Sequence, residues 1–259
     1  MSGERLPGLA TQVFARRVIR LPQTDSTNRY LKEHASSLPH GALCYTGNQT
    51  AGRGRLGRSW IVPADRSLAL SLLLRPAQPP VLPAVCGLAV ARALRRHTGG
   101  DFRIKWPNDI ICGGRKVCGI LCEGILSRDG GCTVAGIGIN LLQGENDFAQ
   151  AGLPYATSVR IETGVTLTLD ETAAAVMNEL EPLWLLCRSQ GFGTLRGDYE
   201  SCCVTVGQTV RVLSPDGAVR CCGVAKGIAE DGGLLVESDG VLERIVAGEA
   251  SVRGLYGYV

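Results

Sequence analysis

Residues 52–60 read GRGRLGRSW, and Pro63 follows three positions later. That combination narrows the fold more than any other feature of the chain. The pattern G-x-G-x-x-G marks a dinucleotide-binding turn only where a helix begins at the third glycine and an acidic residue stands about 20 positions on. Here Gly57 leads into Arg58-Ser59-Trp60-Ile61-Val62-Pro63, and a proline, with no N–H to give, blocks a helix before the next apolar run starts. A doubly wound dinucleotide fold is excluded. A kinase lid is excluded too, because the chain has no H-R-D or D-F-G element, and no G-x-x-x-x-G-K-[ST] loop occurs. There remains a loop whose glycines free the backbone to wrap a ligand, while Arg53, Arg55 and Arg58 offer planar forks that match phosphate oxygens in pairs. Such a loop is expected to be mobile when empty. An exposed connector and an RGG-like RNA contact stay open at this point.

Charge decides against the second of these. No acidic residue stands between Glu33 and Asp65, so the three arginines form one basic segment, yet the whole 259-residue chain carries a net charge of only +3. A protein that coats nucleic acid is expected to be clearly basic. No apolar run approaches the ~20 residues of a membrane span. The start, MSGERLPGLATQVFARR, has no apolar core of the kind a secretory signal needs, so a cytoplasmic location is expected. Eleven cysteines without an export signal are expected to be reduced thiols. Cys118 with Cys122, and the doublets Cys202-Cys203 and Cys221-Cys222, invite a metal reading. Neighbours on a strand face opposite ways, there is no C-x-x-C, and His34, His40 and His97 are scattered. Small buried hydrophobes are the better reading.

Hydrophobic periodicity and turn chemistry predict a strand at 18–21, a helix capped from Asp25-Ser26-Thr27-Asn28, strands at 42–46 and 67–74, and a helix opened by Pro79 to Pro83 and closed before Gly99-Gly100. Consecutive antiparallel strands are predicted at 102–106, 110–112, 117–126 and 133–142, with turns at Pro107-Asn108-Asp109 and Gly113-Gly114. A further helix is predicted with Asp170 as its cap and Ala173, Val176, Met177, Leu180, Leu183 and Trp184 at helical spacing. After Cys203 the texture changes to short β runs broken at Ser214-Pro215-Asp216-Gly217, Asp231-Gly232-Gly233 and Ser238-Asp239-Gly240. An α+β domain over 1–202 and a small β domain over 203–259 are expected.

GRGRLGRSW, preceded by Gln49-Thr50-Ala51, resembles the signature loop of the biotin protein ligases, enzymes that attach biotin to carboxylase carrier domains. Four further segments fit in order: Asp25-Ser26-Thr27-Asn28, Lys105-Trp106-Pro107-Asn108-Asp109, the run RKVCGILCE from Arg115, and Gly136-Ile137-Gly138-Ile139-Asn140. The run AGEASVR from Ala247 fits as well. The resemblance covers most of the chain. It implies a mixed, mainly antiparallel α+β catalytic domain like that of class II aminoacyl-tRNA synthetases, followed by an SH3-like barrel. It also implies a two-step reaction. Biotin and MgATP give biotinyl-5′-adenylate and pyrophosphate, and the amine of an acceptor lysine on a carrier protein or domain then attacks the mixed anhydride. Biotin's own carboxylate is the first nucleophile, so no Ser/His or Cys/His constellation is required, and none is legible. Catalysis falls to positioning two anions and stabilising charge at the α-phosphate.

Carried over position by position, the resemblance gives Ser26, Thr27, Asn28 and Gln49 to the biotin ring system, where a ureido group is answered by hydroxyls and amides. Arg53 and Arg55, with Gly54 between them, match the arginines that close over carboxylate and α-phosphate. Arg58 falls nearer the ATP phosphates, and Trp60 resembles a residue packed against adenine, a core tryptophan being the alternative. Lys116 matches a lysine aimed at the junction of biotin carboxylate and phosphate. Lys105 and Asn108 fall to ATP, and Asp109 to Mg²⁺ or to orienting the nucleophile, although plain turn chemistry also accounts for Asn108 and Asp109. Gly119, Gly136 and Gly138 interrupt apolar strands, a costly choice unless a ligand or backbone comes close. Asn140 is a candidate for the adenine edge. The 24 residues ahead of Asp25 are expected to be too few for the winged-helix DNA-binding domain of some members, and a homodimer stays open. The nearest rival, a lipoate or octanoate ligase or transferase, is expected to share the fold but not the arginine-rich loop or KWPND.

Overall fold

The structure is a computed structural model that describes residues 6–60, 65–126, 130–214, 216–247 and 251–254. Pro63, Pro215 and the Gly248-Glu249-Ala250 part of the C-terminal motif lie outside these. Strand β1 (Val18–Arg20) is followed by helix α1 (Thr27–Glu33), β2 (Leu43–Thr46), the short pair β3 (Gly52–Arg53) and β4 (Ser59–Trp60), and β5 (Ser67–Leu74). Helix α2 (Leu82–Thr98) leads into β6 (Arg103–Lys105), β7 (Asp109–Cys112), β8 (Arg115–Ile125) and β9 (Cys132–Asn140). Then come α3 (Glu145–Gln150), α4 (Val159–Thr163), α5 (Leu169–Gln190) and α6 (Gly193–Cys202), and finally β10 (Thr209–Leu213), β11 (Val219–Ile228), β12 (Leu234–Ser238), β13 (Val241–Ile245) and β14 (Ser251–Gly254).

Seven strands form one sheet in the order β1-β2-β5-β9-β8-β7-β6, antiparallel except for β1 beside β2. All eight residues of β5 are buried, because both faces of the sheet are covered. Alternation along a strand sends successive side chains to opposite faces. Leu68, Leu70, Leu72 and Leu74 join the large core with α2 and α5. Leu73 instead meets Leu31 of α1, Cys44 and Val134 in a second cluster. Ala69 and Ser71, in step with Leu73, therefore belong to the α1 face.

Helix boundaries follow their caps. Ser26 Oγ accepts from Arg29 N at the start of α1, and α2 stops where Gly99 takes φ +72°, a conformation that glycine adopts without strain. The cap of α5 is Thr168, not Asp170: Thr168 and Glu171 form a reciprocal capping box. Asp170 sits in the first turn and accepts from Tyr45 Oη at 2.8 Å. Helices α3, α4 and α6 were not anticipated. The first two are short, and α6 carries two glycines that dilute its pattern, although it buries Leu195, Tyr199 and Cys202. The doublet Cys202-Cys203 closes α6 rather than lying on a strand. All eleven cysteines are free thiols, and burial pushes the Cys44 and Cys118 thiols up, away from the nucleophilic thiolate.

The N-terminal segment is tied down by one carboxylate. Buried Glu181 on α5 accepts from the backbone N–H of Gln12 (2.6 Å), Val13 (2.8 Å) and Phe14 (2.6 Å). Glu181→Ala orphans all three donors and should cost about 3 kcal/mol in urea unfolding. A loss under ~0.5 kcal/mol would mean that water satisfies them.

The five remaining strands form a second antiparallel sheet, in the order β13-β12-β11-β10-β14. It is fastened to the first beside Trp106. Val204 N donates to Ile104 O (2.9 Å), Trp106 N to Thr205 Oγ1 (3.0 Å) and Trp106 Nε1 to Gly232 O (2.9 Å). The strand and turn that contain Lys105, Asn108 and Asp109 are thus clamped by the small sheet.

Candidate active site

Strand register assembles the floor of the site. Reading across the sheet, Thr46 pairs with Ala69, Ala69 with Gly138, Gly138 with Gly119, Gly119 with Asp109, and Asp109 with Lys105. The next row runs Cys44, Ser71, Gly136, Leu121. Segments more than sixty residues apart in the chain thereby lie side by side on the α1 face. A cleft of about 760 Å³ stands over these rows, walled by Ser26, Thr27 and Gln49 at one end and by Lys105, Asn108 and Arg211 at the other.

The glycines leave the floor flat. An added Cβ at Gly138 would lie 2.7 Å from the Trp60 indole, and one at Gly119 3.1 Å from it, so the indole rests on that glycine pair. At Gly136 the added atom would be 2.2 Å from Asn28 Oδ1, in a buried network with no room to yield. Gly136→Ala should therefore cost about 1–3 kcal/mol and raise the KM for the ligand at this end more than for one at the other. An unchanged melting temperature and KM would show that the network yields after all.

A bulge aims Lys116. Ile110 pairs with Cys118 but Ile111 with Lys116, so Val117 is the extra residue. Val117 and Cys118 both enter the core, and the shift brings Lys116 to the same face as Gly119. There its Nζ lies 2.6 Å from Asp109 Oδ1 and 5.4 Å from the Trp60 ring centroid.

The Gly/Arg segment is more ordered than a bare connector. Gly52 and Arg53 pair with Trp60 and Ser59, and a single 3₁₀ turn, Arg55–Gly57, joins them. Arg53 and Arg58 are exposed at the cleft mouth. Arg55 is half-buried and donates to Asn108 Oδ1 at 3.0 Å and to the carbonyl of Ala247 in the turn after β13. Burial lowers the Arg55 pKa, and Asp109 partly offsets this. Asn108 is held in turn by its Nδ2 donating to Ile120 O (2.9 Å).

At the opposite end, Thr27 N donates to Gln49 Oε1 at 3.0 Å. Asn28 Nδ2 donates to Leu121 O (3.2 Å) and Glu123 Oε2 (2.8 Å). Burial alone would raise the Glu123 carboxyl, but hydrogen bonds from Lys32 and Asn28 outweigh it and hold it below the ordinary carboxylate range. Two expected contacts are therefore occupied by the fold. Asn28 is engaged at both ends of its amide. Asn140 donates to Thr157 O (3.0 Å) and accepts from Gln143 Nε2 (3.0 Å), so it pins the segment beside the cleft.

Among the described residues no group of three or more His, Cys, Asp or Glu side chains gathers around one point, and no helix is long and apolar enough to cross a membrane. Four contributors were not read from the sequence. Ser71 looked like one more position in a buried strand. Leu153 and Tyr155 wall the cleft because Lys116 N donates to Tyr155 O (2.7 Å) and Thr157 N to Lys116 O (2.8 Å). Arg211 alternates with buried Val210 and Val212 on β10, which marks it as outward-facing without saying that its outside is the cleft.

Residues 21–140 match the biotin/lipoate A/B protein ligase family, and residues 205–253 match the biotin protein ligase C-terminal domain. The bifunctional ligase/repressor BirA of Escherichia coli (strain K12) is 32% identical over 239 residues, which cover 90% of this chain and 73% of that protein. The biotin--[acetyl-CoA-carboxylase] ligase of Paracoccus denitrificans is 32% identical, over 90% of this chain and 100% of that protein. The solved structure of the biotin protein ligase from Aquifex aeolicus in complex with biotin and ATP matches with a TM-score of 0.79 at 32% identity, covering 92% of this chain and 99% of that one.

Proposed function

The chain belongs to the biotin protein ligase family, and on that premise we propose how its own residues carry out the reaction. The protein is an ATP-dependent biotin protein ligase: it joins biotin to AMP with loss of pyrophosphate and passes the biotinyl group to an acceptor lysine of a carboxylase carrier protein or domain. The catalytic unit spans 1–202 and the small β unit 203–259. A cytoplasmic setting belongs to the same reading.

The carrying observation is the row Gly138, Gly119, Asp109, Lys105 with Lys116 brought over it by a bulge. A flat glycine floor admits a planar ligand closely, and two lysines with three arginines supply the positive field that two anions require. Biotin's bicyclic head goes to Ser26, Thr27 and Gln49, a polar end that suits a ureido ring and not a bare hydrocarbon tail, which disfavours the lipoate reading. Its carboxylate then lies toward Lys116 and Arg53, facing the α-phosphate. Arg55 and Arg58 close from above, and the Trp60 indole swings off the glycine pair to cover adenine. Lys105 and Arg211 face the leaving phosphates. Mg²⁺, bound with ATP, would neutralise phosphate charge. Asp109 is the carboxylate here that fits it, since this ion is held by one or two carboxylates while phosphate and water oxygens complete the shell.

The test is biotin-dependent exchange of labelled pyrophosphate into ATP, followed by a streptavidin blot after adding a carrier domain. Exchange with biotin, none with lipoate, and a labelled carrier are expected. No exchange would refute the reading.

A further inference from the structure

The polar end of the cleft has a proton order that can be counted. Ser71 is fully buried and Thr27 is 3% exposed. Ser71 Oγ lies 2.6 Å from Asn28 Oδ1 and 2.7 Å from Thr27 Oγ1. The Asn28 amide cannot be turned around, because its Nδ2 faces two acceptors, Leu121 O and Glu123 Oε2. Its Oδ1 therefore points at Ser71 and must accept. A hydroxyl has one proton to give, so the Ser71 proton goes to Asn28. The 2.7 Å contact with Thr27 then needs the Thr27 proton, for two oxygens do not approach so closely with nothing between them; Gln49 Oε1, 3.3 Å from Thr27 Oγ1, is the more distant of the two acceptors in reach of that proton. The orientation of Gln49 is fixed independently, since its Oε1 accepts the backbone N–H of Thr27 at 3.0 Å. Lys32 anchors the other end of the chain at 2.6 Å from Glu123 Oε1.

We propose that Ser71 is a positioning residue for ligand choice: through the relay Glu123–Asn28–Ser71 it fixes the Thr27 hydroxyl as an acceptor toward the cleft, so that the ligand must present an N–H at that point. The inference rests on the biotin-binding reading of this end. A ring N–H satisfies the Thr27 lone pair, whereas a ring oxygen in the same place sets acceptor against acceptor. A site built this way rejects the isostere by more than one lost hydrogen bond, because a buried acceptor is left facing another. Ser71 never touches the ligand. Its hydroxyl selects by withholding from Thr27 the freedom to rotate.

The test compares biotin with the two cyclic carbamates in which one or the other ring N–H is replaced by oxygen, scored by pyrophosphate exchange and by calorimetric binding. The parent should disfavour one carbamate by about a hundredfold in affinity. In Ser71→Ala the Thr27 hydroxyl is free to turn and donate, so that ratio should fall to about tenfold or less, with the KM for ATP unchanged. Thr27→Val should remove the preference altogether while weakening biotin itself. A role in packing alone would weaken biotin and both carbamates together and leave the ratio where it was. A parent that does not discriminate, or a Ser71→Ala protein that keeps the parental ratio, overturns the proposal. A parent with no biotin-dependent exchange instead sinks the ligase reading beneath it.

Discussion

Lys116→Ala is expected to slow biotin-dependent pyrophosphate exchange by about a thousandfold, the upper range for deleting one well-aimed donor to a developing anion. Two effects add. The variant loses a cation at the point where carboxylate and α-phosphate meet, and it removes the ammonium that now stands 2.6 Å from Asp109, so negative charge beside two anionic substrates is less compensated. The fold should persist. The bulge at Val117 is held by core packing of Val117 and Cys118, and the Lys116–Asp109 pair, partly open to solvent, contributes little to stability. Lys116→Arg keeps the charge but replaces a compact ammonium by a wider planar group, and should recover only part of the rate. The measurement is exchange at saturating biotin and ATP beside a thermal melt. A drop of less than tenfold with an unchanged melt would remove Lys116 from the reaction centre.

That lysine also shows how far the amino-acid pattern carries and where it stops. Apolar alternation and turn residues located each strand of the seven-stranded sheet, because each strand's burial is written in its own residues. The motifs likewise named most of the cleft. Which motif lies beside which is a matter of register, and register depends on partners far along the chain. A bulge is a fact about two strands at once, so nothing in the run RKVCGILCE says that Lys116 shares a face with Gly119. Asn28 and Asn140 show the opposite limit. Each sits in a motif associated with ligand contact, yet each amide is held by neighbours that the motif does not contain, Glu123 and Leu121 for one, Thr157 and Gln143 for the other. Ser71 is their complement: a single hydroxyl in the apolar run SLALSLLL acquires meaning only when Asn28 and Thr27 arrive beside it.

Arg55→Gly should release the adenylate about a hundredfold faster than the parent does, with a smaller effect on its formation. The Arg55 guanidinium donates to two neutral acceptors, Asn108 Oδ1 and the carbonyl of Ala247. Closing over the ligand exchanges these for carboxylate and phosphate oxygens, and a charge-assisted hydrogen bond is about twice as strong as a neutral one. The gain exists only in the ligand-bound state, so it appears as retention. The exchange also couples two units, because the contact with Ala247 reaches across to the small β unit. Removing Asn108 Oδ1 by Asn108→Ala loosens these contacts and should change adenylate release by a different amount in the Arg55→Gly background than in the parent, a non-additivity of at least ~0.5 kcal/mol in a double-mutant cycle. Dissociation of purified complex, followed by gel filtration against time, gives both numbers. If variant and parent release adenylate at the same rate, Arg55 is a strut between the sheets and the clasp must be sought in Arg53 or Arg58. If release speeds up but the cycle is additive, the clasp stands and the contact with Asn108 carries none of its energy.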